Sequence, residues 1–125
     1  MNSKIFLLIT DDPDDYVEFA SALDELSTDA IVLSVGNGPK AMRMLEESIF
    51  VPHCVMINLL MSDNNADEIL SALQNRTSYN ATVKIAYGGE GAEFNELNHR
   101  KTADFLRSSV PYTELRQRLA SILED

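Results

Sequence analysis

The sequence predicts an α/β protein, a doubly wound, five-stranded parallel sheet with helices packed on both faces. Three observations carry that prediction. Short apolar runs alternate five times with stretches whose apolar residues recur at helical spacing. Those runs are mostly continuous, as in strands buried on both sides. The 125 residues hold no internal repeat, low-complexity segment or linker, so a single domain spans 1–125.

The first strand is Lys4 to Thr10 (KIFLLIT), followed by Asp11, Asp12, Asp14 and Asp15 around Pro13. Proline with flanking acids suits a helix start, because carboxylates near the N-terminus complement the helix dipole. Tyr16, Phe19, Ala20, Leu23 and Leu26 recur at helical spacing and are expected to face the sheet. Ala30 to Val35 reads as the second strand, ended by Gly36-Asn37-Gly38. Pro39 then starts a helix with Ala41, Met42 and Leu45 turned inward.

Pro52 precedes the third strand, where Val55, Met56 and Ile57 form an unbroken apolar run. Asn58 is the first polar side chain to emerge from it. Beyond the polar loop Ser62 to Asn65, Asn65 is placed to cap a helix carrying Ile69, Leu70 and Leu73. Thr82 to Tyr87 reads as the fourth strand, closed by the turn residues Gly88-Gly89-Glu90-Gly91. A weak, polar helix follows over Ala92 to Leu97. Ala103 to Leu106 is a short fifth strand, and Leu115, Leu119, Ile122 and Leu123 stripe a last helix.

Charge narrows the functional classes. Twenty acidic residues against ten basic give a formal net charge of -10. That balance argues for a soluble protein and against general affinity for nucleic acid or anionic membrane. The basic residues Arg100, Lys101, Arg107, Arg116 and Arg118 gather in the last quarter, whereas residues 1–29 contain Lys4 alone. The lone Cys54 excludes an internal disulfide and fits a reducing compartment. Ile5 to Ile9 is too short for a signal-peptide core, and no run approaches membrane-spanning length. The expected location is the cytoplasm.

In open α/β sheets, ligands and chemistry sit beyond the carboxyl ends of the strands. Asn58 stands at such an end, and the residues that follow it carry a resemblance. Asp11-Asp12 after the first strand resembles the metal-binding acidic pair of response regulator receiver domains. Asn37-Gly38-Pro39-Lys40-Ala41-Met42 resembles that family's Gly-x-x-Ala-Leu opening of the second helix, and Asn58-Leu59-Leu60-Met61-Ser62 its Asp-x-x-Met-Pro phosphoacceptor segment. Ala103-Asp104-Phe105-Leu106 resembles its fifth strand, with Phe105 at the aromatic switch position. The order and spacing of the set make it specific, and it covers essentially the whole chain. The resemblance implies a flavodoxin-like sheet of order 2-1-3-4-5 and a role in two-component signal transduction.

Three chemical positions depart from that pattern. Asn58 stands where the family has its aspartate nucleophile. Tyr87 replaces the small hydroxyl residue after the fourth strand, and Ser108, followed by Ser109, replaces the lysine and its proline. Receiver phosphorylation needs a carboxylate to attack phosphorus, a divalent cation and cationic help from lysine. A carboxamide carries no negative charge, and its lone pairs are delocalised into the C–N bond. Asn58 is therefore expected to be inert toward phosphodonors.

Losing one acid and one lysine leaves the pocket's net charge unchanged. Asp11, Asp12, the Asn58 side-chain oxygen and the Leu60 backbone carbonyl remain a weak donor set for Mg²⁺. Asp11 and Asp12 also suit a plain helix start. Tyr87 is too large to shuttle as a small hydroxyl does, and is expected to hold Phe105 in one rotamer. The expected outcome is one fixed conformation with no phosphate-controlled equilibrium.

The leading functional reading is a stand-alone pseudo-receiver that acts by contact and is not an enzyme. Its partner would be a histidine kinase, a phosphotransfer protein or another regulator, reached through residues 91–118. His99, Arg100 and Lys101 fall in that range. A second reading is a phospho-accepting regulator using another acid, such as Asp63 or Asp12. A third is a flavin- or nucleotide-binding module, which the acidic loop Asp11 to Asp15 opposes because phosphates would meet carboxylates there.

Overall fold

The computed structural model describes residues 4–26, 29–47, 51–59, 66–87, 104–106 and 112–124. Its strands are β1 (Lys4–Ile9), β2 (Ala30–Val35), β3 (Cys54–Asn58), β4 (Val83–Tyr87) and β5 (Asp104–Leu106). They form one parallel sheet in the order β2-β1-β3-β4-β5, the flavodoxin-like arrangement. The helices are α1 (Pro13–Leu26), α2 (Gly38–Glu47), α3 (Ala66–Asn75) and α4 (Tyr112–Glu124), with a 3-10 turn at Thr77–Tyr79.

The continuous apolar runs follow from this layering. Leu7, Ile9, Val55 and Ile57 pack on one face with Ala41 and Leu45 of α2 and Ile69, Leu70 and Leu73 of α3. Phe6, Leu8, Cys54, Met56 and Ile85 pack on the other with Phe19, Ala22 and Leu23 of α1 and Leu115, Leu119 and Ile122 of α4. Since both faces of β1 and β3 are buried, neither parity of the strand can be polar. Cys54 is fully buried, as expected of a packing residue.

Two details differ from the sequence reading and a third goes beyond it. Tyr16 is 42% exposed, and the inward positions of α1 are Phe19, Ala22 and Leu23. Tyr16 shares the helical spacing but lies on the flank of that stripe, beside the edge strand β2. Second, α2 begins at Gly38, one residue before Pro39, because Asn37 supplies the cap: its Oδ1 accepts the Lys40 N–H at 2.7 Å. Third, Tyr79 is completely buried under the end of α2, where its hydroxyl donates to the Leu45 carbonyl at 2.8 Å. That bond satisfies one of the carbonyls a helix end leaves over.

The readings over Leu60 to Asn65, Ala92 to Leu97, His99 to Lys101, Ser108 and Ser109 lie outside the described residues, as does that of Asp63. Among the described residues, no helix is long and apolar enough to cross a membrane.

Candidate functional site

Four side chains meet at the carboxyl end of the sheet: Thr10 just after β1, Asp15 in the first turn of α1, Asn58 ending β3 and Tyr87 ending β4. Their convergence follows from parallel register, which sets Asn58 beside Tyr87 and Ile9 beside Ile57. The main chain here is already paired. Thr10 N–H donates to the Val35 carbonyl at 3.0 Å, and Leu59 N–H donates to the Tyr87 carbonyl at 2.8 Å. The polar side chains also bond to one another.

Asp15 is the hub. Its Oδ2 accepts the Tyr87 hydroxyl at 2.7 Å, the Thr10 hydroxyl at 2.8 Å and, more weakly, the Asn58 Nδ2 at 3.4 Å. Asn58 Nδ2 also donates to Thr10 Oγ1 at 2.9 Å. The acceptors fix the orientation of the amide: the Thr10 hydroxyl has already given its proton to Asp15, so the group facing it must be the donor. Asn58 is 8% exposed, Tyr87 8% and Thr10 3%, so the donors are buried around a half-buried carboxylate. Buried networks of this kind are stable only when fully satisfied.

Tyr87 reaches Asp15 from the α1 side of the sheet. Its ring packs against Phe19 with centroids 5.2 Å apart and planes tilted by 58°. Burial raises the phenol well above its ordinary range, and the bond to Asp15 and the charges of Asp15 and Asp12 add to that, with the Thr10 hydroxyl pulling the other way. Tyr87 is thus a neutral donor, unable to serve as a base. The backbone register pairs Ala86, and not Tyr87, with Phe105. The expectation for the Phe105 side chain lies outside what is described, as do Leu60 and Ser108.

The acids singled out in the sequence lie elsewhere around this hub. Asp12 is the N-cap of α1, its Oδ1 accepting the Asp14 N–H at 3.0 Å and its carbonyl the Asp15 N–H at 3.1 Å. Its own N–H donates to Thr10 Oγ1 at 3.1 Å. Asp11 and Asp12 are both exposed. The carboxylate brought against Asn58 is Asp15, which the sequence reading passed over along with Thr10. A signal was present: Asp15 precedes Phe19 by four residues and Ala22 by seven, so it shares their buried stripe.

The Asp15 hub itself does not suit a hard divalent cation; the donor set of Asp11, Asp12, the Asn58 side-chain oxygen and the Leu60 carbonyl includes Leu60, which lies outside the described residues. Mg²⁺ takes oxygen ligands, whereas the Asn58 atom facing Thr10 and Asp15 is a nitrogen that donates. One Asp12 oxygen is committed to the helix cap. Among the described residues, no three His, Cys, Asp or Glu side chains converge as a metal site.

No protein-family model and no curated protein sequence matches the chain. Solved structures do. The signal receiver domain of a DNA-binding response regulator (merR) from Colwellia psychrerythraea superposes with a TM-score of 0.82 at 18% identity, covering 98% of this chain and 100% of that one. The phosphorylated cyanobacterial phytochrome response regulator RcpA gives 0.78 at 16%, covering 98% and 92%. The signal receiver domain of a LuxO repressor protein from Vibrio parahaemolyticus gives 0.75 at 16%, covering 98% and 91%. At such identities the likeness is one of fold.

Proposed function

We propose that this chain is a receiver-type module of two-component signalling that works by protein contact and takes no phosphoryl group at the end of β3. The observation that supports it is the Asn58 amide, tied by its nitrogen to Thr10 and Asp15 where a nucleophile would have to stand. Attack on phosphorus needs an available electron pair on the attacking atom. The amide nitrogen lends its pair to the carbonyl, and both polar contacts at this end of the side chain use its protons.

Regulation then comes from who binds, not from a covalent state. The partner would be a histidine kinase, a phosphotransfer protein or another cytoplasmic regulator, meeting residues 91–118. Within that range α4 offers the exposed Thr113, Glu114, Arg116 and Gln117. Arg116 already meets Glu25 of α1 at 3.0 Å, with both side chains about half exposed. Such a surface pair contributes well under about 1 kcal/mol, so a partner can take Arg116 over at little cost.

The test is incubation with a small phosphodonor and Mg²⁺ followed by intact-mass measurement. The unaltered protein is expected to keep its mass. Asn58→Asp, alone and with Ser108→Lys, asks whether restoring an acid restores acceptance. Gain of one phosphoryl group by the unaltered protein would overturn the proposal, and peptide mapping would then decide between Asp12 and Asp63.

A further inference from the structure

Asparagine converts slowly and spontaneously to aspartate, and at Asn58 that conversion would place an acid at the end of β3. The backbone nitrogen of Leu59 would lose its proton and attack Asn58 Cγ. A bond forms between that nitrogen and Cγ, the Cγ–Nδ2 bond breaks, and ammonia leaves with the proton. Water then opens the cyclic imide to aspartate or isoaspartate. A chain ageing in this way would exchange an inert amide for a carboxylate without any enzyme.

Each requirement of that route meets an obstacle in the fold. Leu59 N–H donates to the Tyr87 carbonyl at 2.8 Å, just past the paired residues Asn58 and Tyr87, so the attacking nitrogen is tied to β4. It lies in the plane of the sheet, whereas strand side chains stand out of that plane. The Asn58 amide stands out toward α1, where its Nδ2 donates to Thr10 Oγ1 at 2.9 Å and to Asp15 Oδ2 at 3.4 Å. The leaving nitrogen and the attacking nitrogen are therefore held by different partners. Asn58 and the 4% exposed Leu59 are both buried, which limits the water that would open the imide.

Direct hydrolysis of the amide is obstructed as well. It needs a base to take a proton from water, and Asp15 is the carboxylate beside the amide. Its Oδ2 already accepts the Tyr87 hydroxyl at 2.7 Å, the Thr10 hydroxyl at 2.8 Å and the amide itself. An oxygen with three donors has no lone-pair direction left for a water.

We infer that the contacts around Asn58 are a lock on its chemical identity, keeping the amide from ageing into an acid while the chain stays folded. Thr10 is a positioning residue in that lock, holding the amide through Oγ1, and the Tyr87 carbonyl holds the nucleophile. The consequence rests on the proposed reading, because a site without a nucleophile stays so only if no acid forms there.

Peptide mapping by mass spectrometry after prolonged incubation at mildly alkaline pH tests the lock. It uses no phosphodonor and no partner, so its failure is distinct from failure of the signalling reading. The folded chain is expected to form aspartate or isoaspartate at Asn58 at least about tenfold more slowly than the same chain in urea, because the reacting geometry is reached only by local opening. Thr10→Val keeps the size of the side chain and removes its oxygen, and is expected to raise the rate at Asn58 in the folded state, with a thermal melt confirming the fold. Equal rates in the folded and the urea-unfolded chain would overturn the inference, and that comparison decides even where Thr10→Val does not fold. An unchanged rate in folded Thr10→Val would overturn the role given to Thr10.

Discussion

The two ends of the sheet are both lined with polar side chains, yet they use them differently. At the amino end the acceptors are backbone carbonyls. Lys4 Nζ donates to the Leu123 carbonyl, His53 Nε2 meets the Ile122 carbonyl at 2.9 Å, and the Thr82 hydroxyl donates to the Pro52 carbonyl at 2.8 Å. These bonds finish α4 and the approach to β3, satisfying main-chain groups that helix ends and turns leave over. At the carboxyl end Thr10, Asn58 and Tyr87 all converge on one oxygen of Asp15. Side chain to side chain bonds are the minority class in folded proteins. Three of them on one atom mark a site, where the amino end shows only finishing work.

That contrast ranks the expected costs. Asp15→Ala removes the acceptor shared by three buried residues, Thr10, Tyr87 and, more weakly, Asn58, which keeps its bond to Thr10, and is expected to destabilise the protein by about 3 kcal/mol in urea unfolding. A loss below about 1 kcal/mol would mean that water replaces the carboxylate and the network is not closed.

Tyr87→Phe keeps the ring against Phe19 and removes a single donor, for an expected loss of about 1.5 kcal/mol. It also sharpens the comparison through pH. The folded-state pKa of Tyr87 is raised above its ordinary 10.0, so its contribution is intact below pH 10.0 and is lost as pH rises beyond it. The unaltered protein should lose stability across that alkaline window more steeply than Tyr87→Phe. Parallel pH profiles would show that Tyr87 does not titrate differently on unfolding.

At the amino end, Thr82→Val leaves only the Pro52 carbonyl wanting and is expected to cost about 1 kcal/mol. Thr82 is 4% exposed, so this compares one buried bond with another, without a charged acceptor. A cost equal to that of Asp15→Ala would erase the distinction between the two ends.

How much of this was legible in the sequence depends on which physical signal each residue gave. Strands β1 and β3 were plain because burial on both faces leaves a continuous apolar run. Asn58 was plain because it ends such a run at the end of the sheet where sites form. The sheet order came with the family resemblance, and the solved structures share that fold. Asp15 was hidden because an acid in a helix's first turn is explained by the dipole alone. Thr10 was hidden as the closing residue of a strand. Only the three-dimensional meeting of three strand ends with α1 distinguishes them from Asp11 and Asp12. Tyr16 misled for the opposite reason, since spacing places a residue near a buried stripe without saying which element covers its flank.

The most direct measurement follows the side-chain amide of Asn58 by NMR while Mg²⁺ and then a small phosphodonor are added. Held by Thr10 and Asp15, the amide signal is expected to stay in place through millimolar additions of both. A saturable shift of Asn58, Thr10 and Asp15 together, showing the nitrogen displaced by a cation or a phosphoryl group, would contradict the account.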